Sequence, residues 1–349
     1  MKHLFRILAI IFAFALLFAA YGGRVNPTVW TLPSLATLFL PIVAIVCLAF
    51  LAILLLFRQW QSASVIFAAL LLAWPTLKLI APVNIGTRSS DDEKQQLKVL
   101  TMNVTEFNWM NGEPSKNMRY ILDEDADIVV IQEGLVYFSF EHLKTVTPML
   151  DELYKKYPYR KKHFYDVGII SKYPFTELDD PVLKQDSLGY FIKAWDVEAP
   201  GGDLRVISMH FSSLRFTLND SKILDSMDKP SGRKKRIKSV LGKLDSGFQN
   251  HARQAEALRQ IIDKTEGDVL VMGDMNDTPG SYAYRTVCGD DMTDAWAEVG
   301  KGPSYTFHAH HLYVKIDHIL YRGDMRPIYC RFDKKGESDH YPMVALFDR

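Results

Sequence analysis

The stretch DVLVMGDMND, residues 268–277, joins an apolar run to a cluster of polar side chains. Its first half is rich in Val, Leu and Met, a composition typical of a buried β-strand. Asp274 and Asn276 follow where this strand is expected to end. In a sheet with covered faces, side chains at strand ends are free to converge on a ligand. The stretch therefore predicts a buried strand that delivers Asp274 and Asn276 to a site.

Seven further runs outside this stretch have the same apolar character and also predict strands. They are LKVLTMNV (97–104), DIVVIQE (127–133), DVGIISK (166–172), YFIKAWDVE (190–198), LRVISMH (204–210), VKIDHILY (314–321) and YPMVALF (341–347). Amphipathic stretches between them, at about residues 118–124, 140–156 and 251–264, predict helices. The alternation of short strands and helices indicates an α/β fold.

The first quarter of the chain has a different composition. Residues 1–90 contain six basic side chains and no acidic one, although the whole chain has 41 of each. Three stretches, 4–21, 34–57 and 62–82, approach the roughly 20 apolar residues that cross a bilayer as a helix. We therefore expect a membrane anchor of three transmembrane helices over 1–82, a polar linker over 83–96 and one folded domain over 97–349.

The first apolar stretch also fits a signal peptide, because a basic start precedes an apolar core and the small residues Ala19 and Ala20. The other two stretches would still anchor the chain. Buried helices of a globular protein are disfavoured, since a core helix normally keeps a charged face toward solvent. Lys2, Arg6 and Arg58 would share the cytoplasmic side of the inner membrane, which puts the folded domain outside the cytoplasm.

The charge of the folded domain bears on its partners. Beyond residue 90 the chain carries 35 basic and 41 acidic side chains. A domain that binds nucleic acid mainly through its phosphates usually has an excess of basic side chains, and this domain has none. A basic tract from Arg233 to Lys238 is either a solvated insertion or helix face, or a contact surface for anionic lipid or a phosphate-rich substrate. Cys47 is expected to be a small buried hydrophobe, and pairing of Cys288 with Cys330 stays open.

The polar residues at the predicted strand ends share one kind of chemistry. They are Asn103, Glu133, His210, Asp274, Asn276, Asp317, Asp339 and His340. Carboxylates and amides dominate, which suits a hard cation such as Mg²⁺ better than zinc held by thiolates and imidazoles. Such a metal polarises phosphoryl oxygens, while a His held by a carboxylate takes a proton from water. The set predicts metal-assisted hydrolysis of a phosphoester.

Six of these segments match a known pattern in order. They are VLTMNV (99–104), VVIQE (129–133), SMH (208–210), GDMND (273–277), KIDHIL (315–320) and SDHYP (338–342). Through them the region 97–349 resembles the endonuclease/exonuclease/phosphatase superfamily, which includes deoxyribonuclease I, apurinic endonucleases, inositol polyphosphate 5-phosphatases and bacterial sphingomyelinases. The resemblance implies a four-layer α/β/β/α sandwich, with two sheets face to face between helices and the site at one end of the sheets.

The resemblance also implies how the metal and the water are handled. Glu133, with Asn103 beside it, would hold the catalytic Mg²⁺, with Mn²⁺ as the alternative, and Asp339 would support the metal region. His340 would be the base that prepares water, and Asp317 would orient it. Every one of these positions holds the expected residue type, which disfavours a binding or scaffold protein that has lost the reaction.

Further residues would act on the substrate. By the same resemblance, Asp274 and Asn276 would position water and the scissile phosphate, and His210 would donate to a phosphate oxygen. Arg253, which opens a helix in HARQAE, would either contact substrate or form a structural salt bridge. The histidines of TFHAHH, His308, His310 and His311, are expected to form a loop near the substrate mouth, because no acid or cysteine completes a ligand set there.

The substrate is less defined than the reaction. The superfamily slightly favours a nuclease, but Thr105 stands where members similar to apurinic endonucleases carry an acid, which weakens a DNA-repair activity. A phospholipid or an inositol phosphate suits the membrane anchor. The expected partners are therefore a phosphoester substrate and the lipid bilayer, and the sequence indicates no particular protein partner.

Overall fold

The computed structural model describes residues 2–86, 88–91, 93–105, 115–134, 147–161, 166–185, 191–214, 233–309 and 312–349. Its N-terminal part consists of apolar helices: α1 (Lys2–Tyr21), α2 (Leu32–Leu38), α3 (Leu40–Leu56) and α4 (Trp60–Ile80). In the described chain α1 and α4 are long and apolar enough to cross a membrane, and a third span exists if α2 and α3 act as one.

The stretch predicted as one span over 34–57 is two helices, bent by 63° between Leu38 and Leu40. Pro41 lies in the first turn of α3. Proline lacks an amide hydrogen and its ring clashes with the preceding turn, so it favours a kink or a break within a helix and is tolerated in the first turn. Two of the three predicted stretches are therefore single helices of sufficient length and apolar character, and the third reaches that length only if the bent pair acts as one span.

Small residues line the contact between α1 and α4. They are Ala9, Ala13 and Ala20 of α1 and Ala63, Ala69 and Ala73 of α4, all buried. Small side chains let helix backbones approach closely, which is the usual way that helices associate within lipid. Large apolar side chains such as Phe14, Ile45 and Leu71 point outward and are exposed. An apolar outer surface of this kind suits a lipid environment.

The rest of the chain is built on two six-stranded sheets. The first contains, in spatial order, β11 (Arg326–Phe332), β12 (Met343–Asp348), β1 (Gln96–Asn103), β2 (Ile128–Gln132), β4 (Val167–Ser171) and β3 (Tyr159–Lys161). The second contains β5 (Phe175–Glu177), β6 (Ile192–Ala199), β7 (Gly202–His210), β8 (Asp268–Asp274), β10 (Asp317–Arg322) and β9 (Thr293–Asp294). Each sheet has one parallel pair, β1 with β2 and β7 with β8.

The two sheets pack face to face, and alternation along their strands explains why. Val99 and Val130 of the first sheet join Val206 and Leu270 of the second in one buried cluster. Their neighbours along each strand point the other way, because successive side chains alternate across a sheet. Leu100 accordingly packs with residues of the helices outside the first sheet.

Helices cover both outer faces. The first sheet is covered by α5 (Lys116–Glu124) and α6 (Thr147–Lys156), and the second by α7 (Arg233–Asp263) and α8 (Tyr282–Cys288). The cap of α5 is local, since the Ser115 side chain accepts a hydrogen bond from the Met118 amide. A short helix, α9 (Ala295–Val299), follows β9. The predicted four-layer α/β/β/α sandwich is confirmed.

Several details differ from the sequence expectations. The short strands β3, β5 and β9, the longer strand β11 and the helices α8 and α9 were not predicted. The helix expected over 251–264 is the end of the longer α7, which also contains the basic tract from Arg233. Of the helix expected over 140–156, residues 140–146 lie outside the described residues. Cys288 and Cys330 are free thiols.

Candidate active site

Strand pairing brings the predicted site residues to one end of the sandwich. In the second sheet His210 lies directly beside Asp274, and Asp317 lies on the other side of Asp274. In the first sheet Asn103 ends β1 beside the last residue of β2, and Glu133 follows. Contacts between Asn103 and Asp274 join the two sheets at this end. The site is therefore formed by the ends of five strands.

Gly273 explains how Asp274 comes so close to β7. Its φ is +136°, and a Cβ added there would lie 2.0 Å from the Met209 carbonyl oxygen. Any side chain would push the two parallel strands apart just before the site. A glycine is therefore required immediately before Asp274.

The backbone at the site is strained. In the described chain five residues other than glycine have positive φ, and three of them, Thr105, Glu133 and Asn276, lie at the ends of strands that carry site residues. Such conformations cost of order 1–3 kcal/mol each and persist only where the surroundings enforce them. Their clustering here is typical of a functional site.

His340 and Asp317 form a buried pair. His340 Nδ1 lies 2.9 Å from Asp317 Oδ2, and His340 Nε2 lies 3.6 Å from Asp274 Oδ2. Burial lowers the pKa of His340, but Asp317 and Asp274 outweigh it and raise the pKa to about 10. Burial opposes ionisation of Asp317, yet His340 holds the pKa of that carboxyl below its usual range. The ring is thus oriented by one carboxylate and faces a second.

His210 and Asp166 form a second pair on the other side of Asp274. His210 Nδ1 is hydrogen bonded to Asp166 Oδ2, and His210 Nε2 lies 3.7 Å from both Asp274 Oδ2 and Glu133 Oε1. Burial lowers the pKa of His210, while Asp166 and Asp274 raise it to about 9. Asp166 was not among the predicted residues. Its signal was its place just before β4, which runs antiparallel to β2 and so begins where Glu133 lies.

Asp274 lies between the two histidines and is almost fully buried. Burial raises its pKa to about 6, with Asp317 adding to the rise and the histidines opposing it. Asp274 Oδ1 accepts a 2.7 Å hydrogen bond from the Asn276 amide. The Asn276 side chain donates to the Phe211 carbonyl at 2.8 Å, which fixes the loop after β8.

Glu133, Asn103 and the buried acids supply a donor set that fits a hard divalent cation. Asn103 Nδ2 lies 3.0 Å from Glu133 Oε1 and 3.4 Å from Asp274 Oδ2. In the described residues, ligand atoms of Asp274, Asp317 and His340 also lie within 4.8 Å of one another. The two carboxylates of this group repel each other, and Glu133 is linked to Asp274 through the Asn103 amide. Carboxylate oxygens of this kind suit Mg²⁺ or Mn²⁺.

Asp339 and Thr105 connect the first and last motifs. The Thr105 hydroxyl donates to Asp339 Oδ1 at 2.8 Å, and the Thr105 amide donates to Asn103 Oδ1 at 3.1 Å. Asp339 is therefore linked to Asn103 through Thr105. Its predicted role near the metal stays a prediction.

The remaining predicted residues lie farther out. Arg253 is exposed on α7 and donates to Asn250 Oδ1 at 3.1 Å, and no contact joins it to the described site residues. Its substrate role stays a prediction. The His308 ring packs on Tyr341 at 3.9 Å, and its amide donates to the Asp339 carbonyl, so it lies next to the site. His310 and His311 lie outside the described residues.

A further histidine and aspartate pair, His318 with Asp294 at 3.5 Å, is buried and was not predicted. Asp294 is fully buried with Lys315 Nζ at 3.1 Å, and His318 Nδ1 lies 2.7 Å from the same Lys315 atom. His318 Nε2 lies 3.2 Å from the Asp277 carbonyl oxygen. Both nitrogens of this ring are committed to protein partners, and Lys315 and His318 flank Asp317 in the chain.

Comparison with solved structures gives likenesses at low identity. The structure of D. rerio TDP2 complexed with a single-strand DNA product has 16% identity and a TM-score of 0.48, covering 73% of this chain and 100% of that chain. An endonuclease/exonuclease/phosphatase from Beutenbergia cavernae has 16% identity and a TM-score of 0.47, covering 73% and 72%. The beta toxin of Staphylococcus aureus has 15% identity and a TM-score of 0.41, covering 71% and 99%.

Comparison of sequences is more decisive. No curated protein matches the chain at a significant level. A family model described as a domain of unknown function matches residues 2–79. The model described as the endonuclease/exonuclease/phosphatase family matches residues 100–340, most of the chain and all six motifs up to His340. The chain belongs to the endonuclease/exonuclease/phosphatase family and is an enzyme that hydrolyses phosphoester bonds.

Proposed function

We propose that the chain is a membrane-anchored hydrolase that depends on a divalent metal ion and cleaves a phosphodiester or phosphomonoester by attack of water. The observation that carries this proposal is the arrangement around Asp274. Two imidazoles approach Asp274 Oδ2 within 3.6 and 3.7 Å, and each is held on its far side by its own carboxylate. A phosphate group between the two rings would meet a proton acceptor on one side and a proton donor on the other.

The roles of the side chains follow from their contacts. Asp317 orients His340, whose Nε2 takes a proton from the attacking water. His210, oriented by Asp166, donates to a non-bridging phosphate oxygen that gains charge in the transition state. Asp274 and Asn276 position the water and the phosphate. A divalent cation held by Glu133 and Asn103, and supported by Asp339, would polarise the phosphoryl oxygens and lower the pKa values of both imidazoles.

The membrane part of the proposal assigns residues 1–82 to an anchor, 83–96 to a linker and 97–349 to the hydrolase domain. Apolar length, small-residue helix contacts and the absence of acids over residues 1–90 support it. With Lys2, Arg6 and Arg58 on the cytoplasmic side of the inner membrane, the hydrolase domain lies outside the cytoplasm.

Two loops of the site are attached to the ends of the apolar helices. Gly280 lies against Gly23, where a Cβ would come within 1.9 Å of the Gly280 carbonyl oxygen. Gly280 is four residues from Asn276, a span of at most about 14 Å. On the second loop, the Gly302 amide donates to the Pro82 carbonyl at 2.8 Å, while Thr306 accepts from the Asp317 amide at 3.0 Å. The site would thus lie close to the bilayer surface.

The family slightly favours a nucleic acid as the substrate. The closeness of the site to the bilayer favours a phospholipid as the second candidate. A lipid headgroup reaches such a site by diffusing within the bilayer, whereas a nucleic acid must approach an acidic domain against its charge. An inositol phosphate remains a third substrate to test.

The experiment uses the purified full chain in mild detergent with Mg²⁺. Bis-p-nitrophenyl phosphate, plasmid DNA, an inositol polyphosphate and sphingomyelin are offered in parallel, with EDTA and the His340→Ala variant as controls. We expect hydrolysis that EDTA abolishes and that Mg²⁺ or Mn²⁺ restores. Preference for sphingomyelin supports the lipid candidate, preference for DNA supports a tethered nuclease, and silence on all four substrates overturns the proposed function.

A further inference from the structure

A cleft of about 770 Å³ opens where the apolar helices meet the hydrolase domain. Arg24 and Lys78, at the C-terminal ends of α1 and α4, line one side, and Arg285 of α8 lines the other. None of the histidines or carboxylates assigned to hydrolysis is among its lining residues. The cleft is therefore distinct from the active site.

Arg285 holds this junction together. Its guanidinium donates to the Ala20 carbonyl at 3.3 Å, to Thr76 Oγ1 at 2.8 Å and to the Gly280 carbonyl at 3.0 Å. All three acceptors are neutral. Burial, reinforced by the nearby charge of Arg24, lowers the pKa of Arg285. The charge of Arg285 is thus hydrogen bonded but not compensated by an acid.

The other two cations are uncompensated as well. Among the residues that the structure describes, no carboxylate lies within ion-pair distance of Arg24 or Lys78, and Arg24 packs over the Tyr21 ring at 5.0 Å. Three positive charges that share one cleft repel each other. A bound anion would remove this repulsion.

The acids that line the cleft are mostly committed elsewhere. Asp294 is held by Lys315 at 3.1 Å, and Glu298 pairs with Arg88 at 2.7 Å. Asp290 is exposed at the rim. Once Asp294 and Glu298 are counted with their own cations, three cationic side chains in the cleft face one further carboxylate, that of Asp290. The net charge of the cleft is then positive, whereas that of the chain beyond residue 90 is negative.

The position of the cleft identifies the class of anion. Arg24 follows α1 and Lys78 lies in the last turn of α4, so both lie at the level where helices of this length leave a bilayer. Lipid phosphates are concentrated at this level, and cations there bind them.

We propose that the cleft binds the phosphate of an anionic phospholipid headgroup and so holds the hydrolase domain against the bilayer. The proposal rests on the membrane-anchored arrangement of the proposed function. Inorganic phosphate offers the same charge and oxygen geometry without the acyl chains, so the two sources are separate arms of the test.

The test uses the full chain purified in mild detergent and offered equal amounts of phosphatidylglycerol and phosphatidylcholine with matched acyl chains. Native mass spectrometry measures the lipid retained. We expect retention of phosphatidylglycerol over phosphatidylcholine, little displacement by inorganic phosphate, and an affinity about thirtyfold lower in the Arg24→Gln/Lys78→Gln double variant. Asp290→Asn, which removes the acid at the rim, should raise the affinity by about fivefold.

The matched control is Lys2→Gln/Arg6→Gln, which removes the same charge at the opposite end of α1 and should leave retention unchanged. Equal retention by the wild type and the double variant, or an unchanged affinity in Asp290→Asn, overturns the proposal. Equal occupancy by inorganic phosphate makes the cleft a free-anion site and overturns the lipid assignment.

Carbonate extraction of membranes separates the two proposals. Release of the chain overturns the anchor and the lipid site with it. Retention in the membrane without selectivity for phosphatidylglycerol overturns the lipid site alone.

Discussion

The hydrolase domain has four histidine and aspartate pairs among its described residues. The pairs of His340, His210 and His318 are chemically alike but differ in one respect. His340 and His210 each use Nδ1 to bind a carboxylate and aim Nε2 at Asp274. His318 has partners at both nitrogens and a fully buried side chain. A histidine takes part in proton transfer only when one nitrogen can meet the substrate or water. The uncommitted nitrogen, rather than the paired carboxylate, separates the reactive pairs from the structural one.

The largest effect should come from His340→Ala. Loss of a general base typically costs about 10²–10⁴ in rate, and we expect about 10³–10⁴ in kcat here because Asp317 pre-orients this ring. Hydrolysis of bis-p-nitrophenyl phosphate measures the loss, with the Mg²⁺ activation constant and the melting temperature as controls. A loss of kcat below about tenfold would show that another residue is the base. The uncommitted nitrogen would then no longer distinguish the reactive pairs from the structural pair.

The pair of His318 and Asp294 should affect the free energy of unfolding. Lys315→Met leaves Asp294 buried without its cation, and breaking such a pair costs about 3–5 kcal/mol of unfolding free energy. Denaturant unfolding of the full chain measures it. Burial raises the pKa of Asp294, but Lys315 and His318 outweigh it and hold the pKa well below its usual range. The stabilisation is therefore present above the unfolded pKa of about 3.9 and is lost as the pH falls.

The deficit of Lys315→Met should accordingly shrink in acid. An equal deficit at neutral and low pH would show that packing, and not the ion pair, carries the effect. His308→Ala, which changes a ring beside the site without breaking a buried ion pair, is the matched control.

His210→Ala should cost less than His340→Ala. Removing one donor to a phosphoryl oxygen typically costs about 10²–10³ in kcat, or about 2.7–4 kcal/mol. The pH profile sharpens the comparison, since the limb that reports the base should persist in His210→Ala and disappear in His340→Ala. If the limb that reports the base vanished in His210→Ala instead, the two rings would have exchanged roles.

The smallest effect is expected for Asp166→Asn. Asp166 contacts His210 and in the proposed mechanism acts by orienting it, and such supporting carboxylates contribute about 10–100-fold. Its side chain is 31% exposed, against 2% for Asp317, so water partly replaces it. We therefore expect Asp317→Asn to lower kcat more than Asp166→Asn does. Equal losses of kcat in the two variants would show that the two carboxylates contribute equally to turnover.

The sequence by itself determined the class of the fold, and it predicted the chemistry of the site. Apolar runs are a local signal, so all eight predicted strands are present. The polar residues after these runs predicted Asp274, Glu133 and His340 as site residues without the structure. The apolar character of the N-terminal helices is equally local. Short edge strands such as β5 were missed because three residues carry too little periodicity.

Tertiary structure alone decided which of these residues meet. Asp166 joins the site because β4 pairs antiparallel with β2, and pairing between distant segments leaves no local mark in the sequence. The junction cleft likewise gathers Arg24, Lys78 and Arg285 from three separate helical segments. The bend at Pro41 depends on a single proline, and the average apolar composition of the stretch does not reveal it. Residue types follow from the sequence, whereas their convergence follows from packing over long separations in the chain.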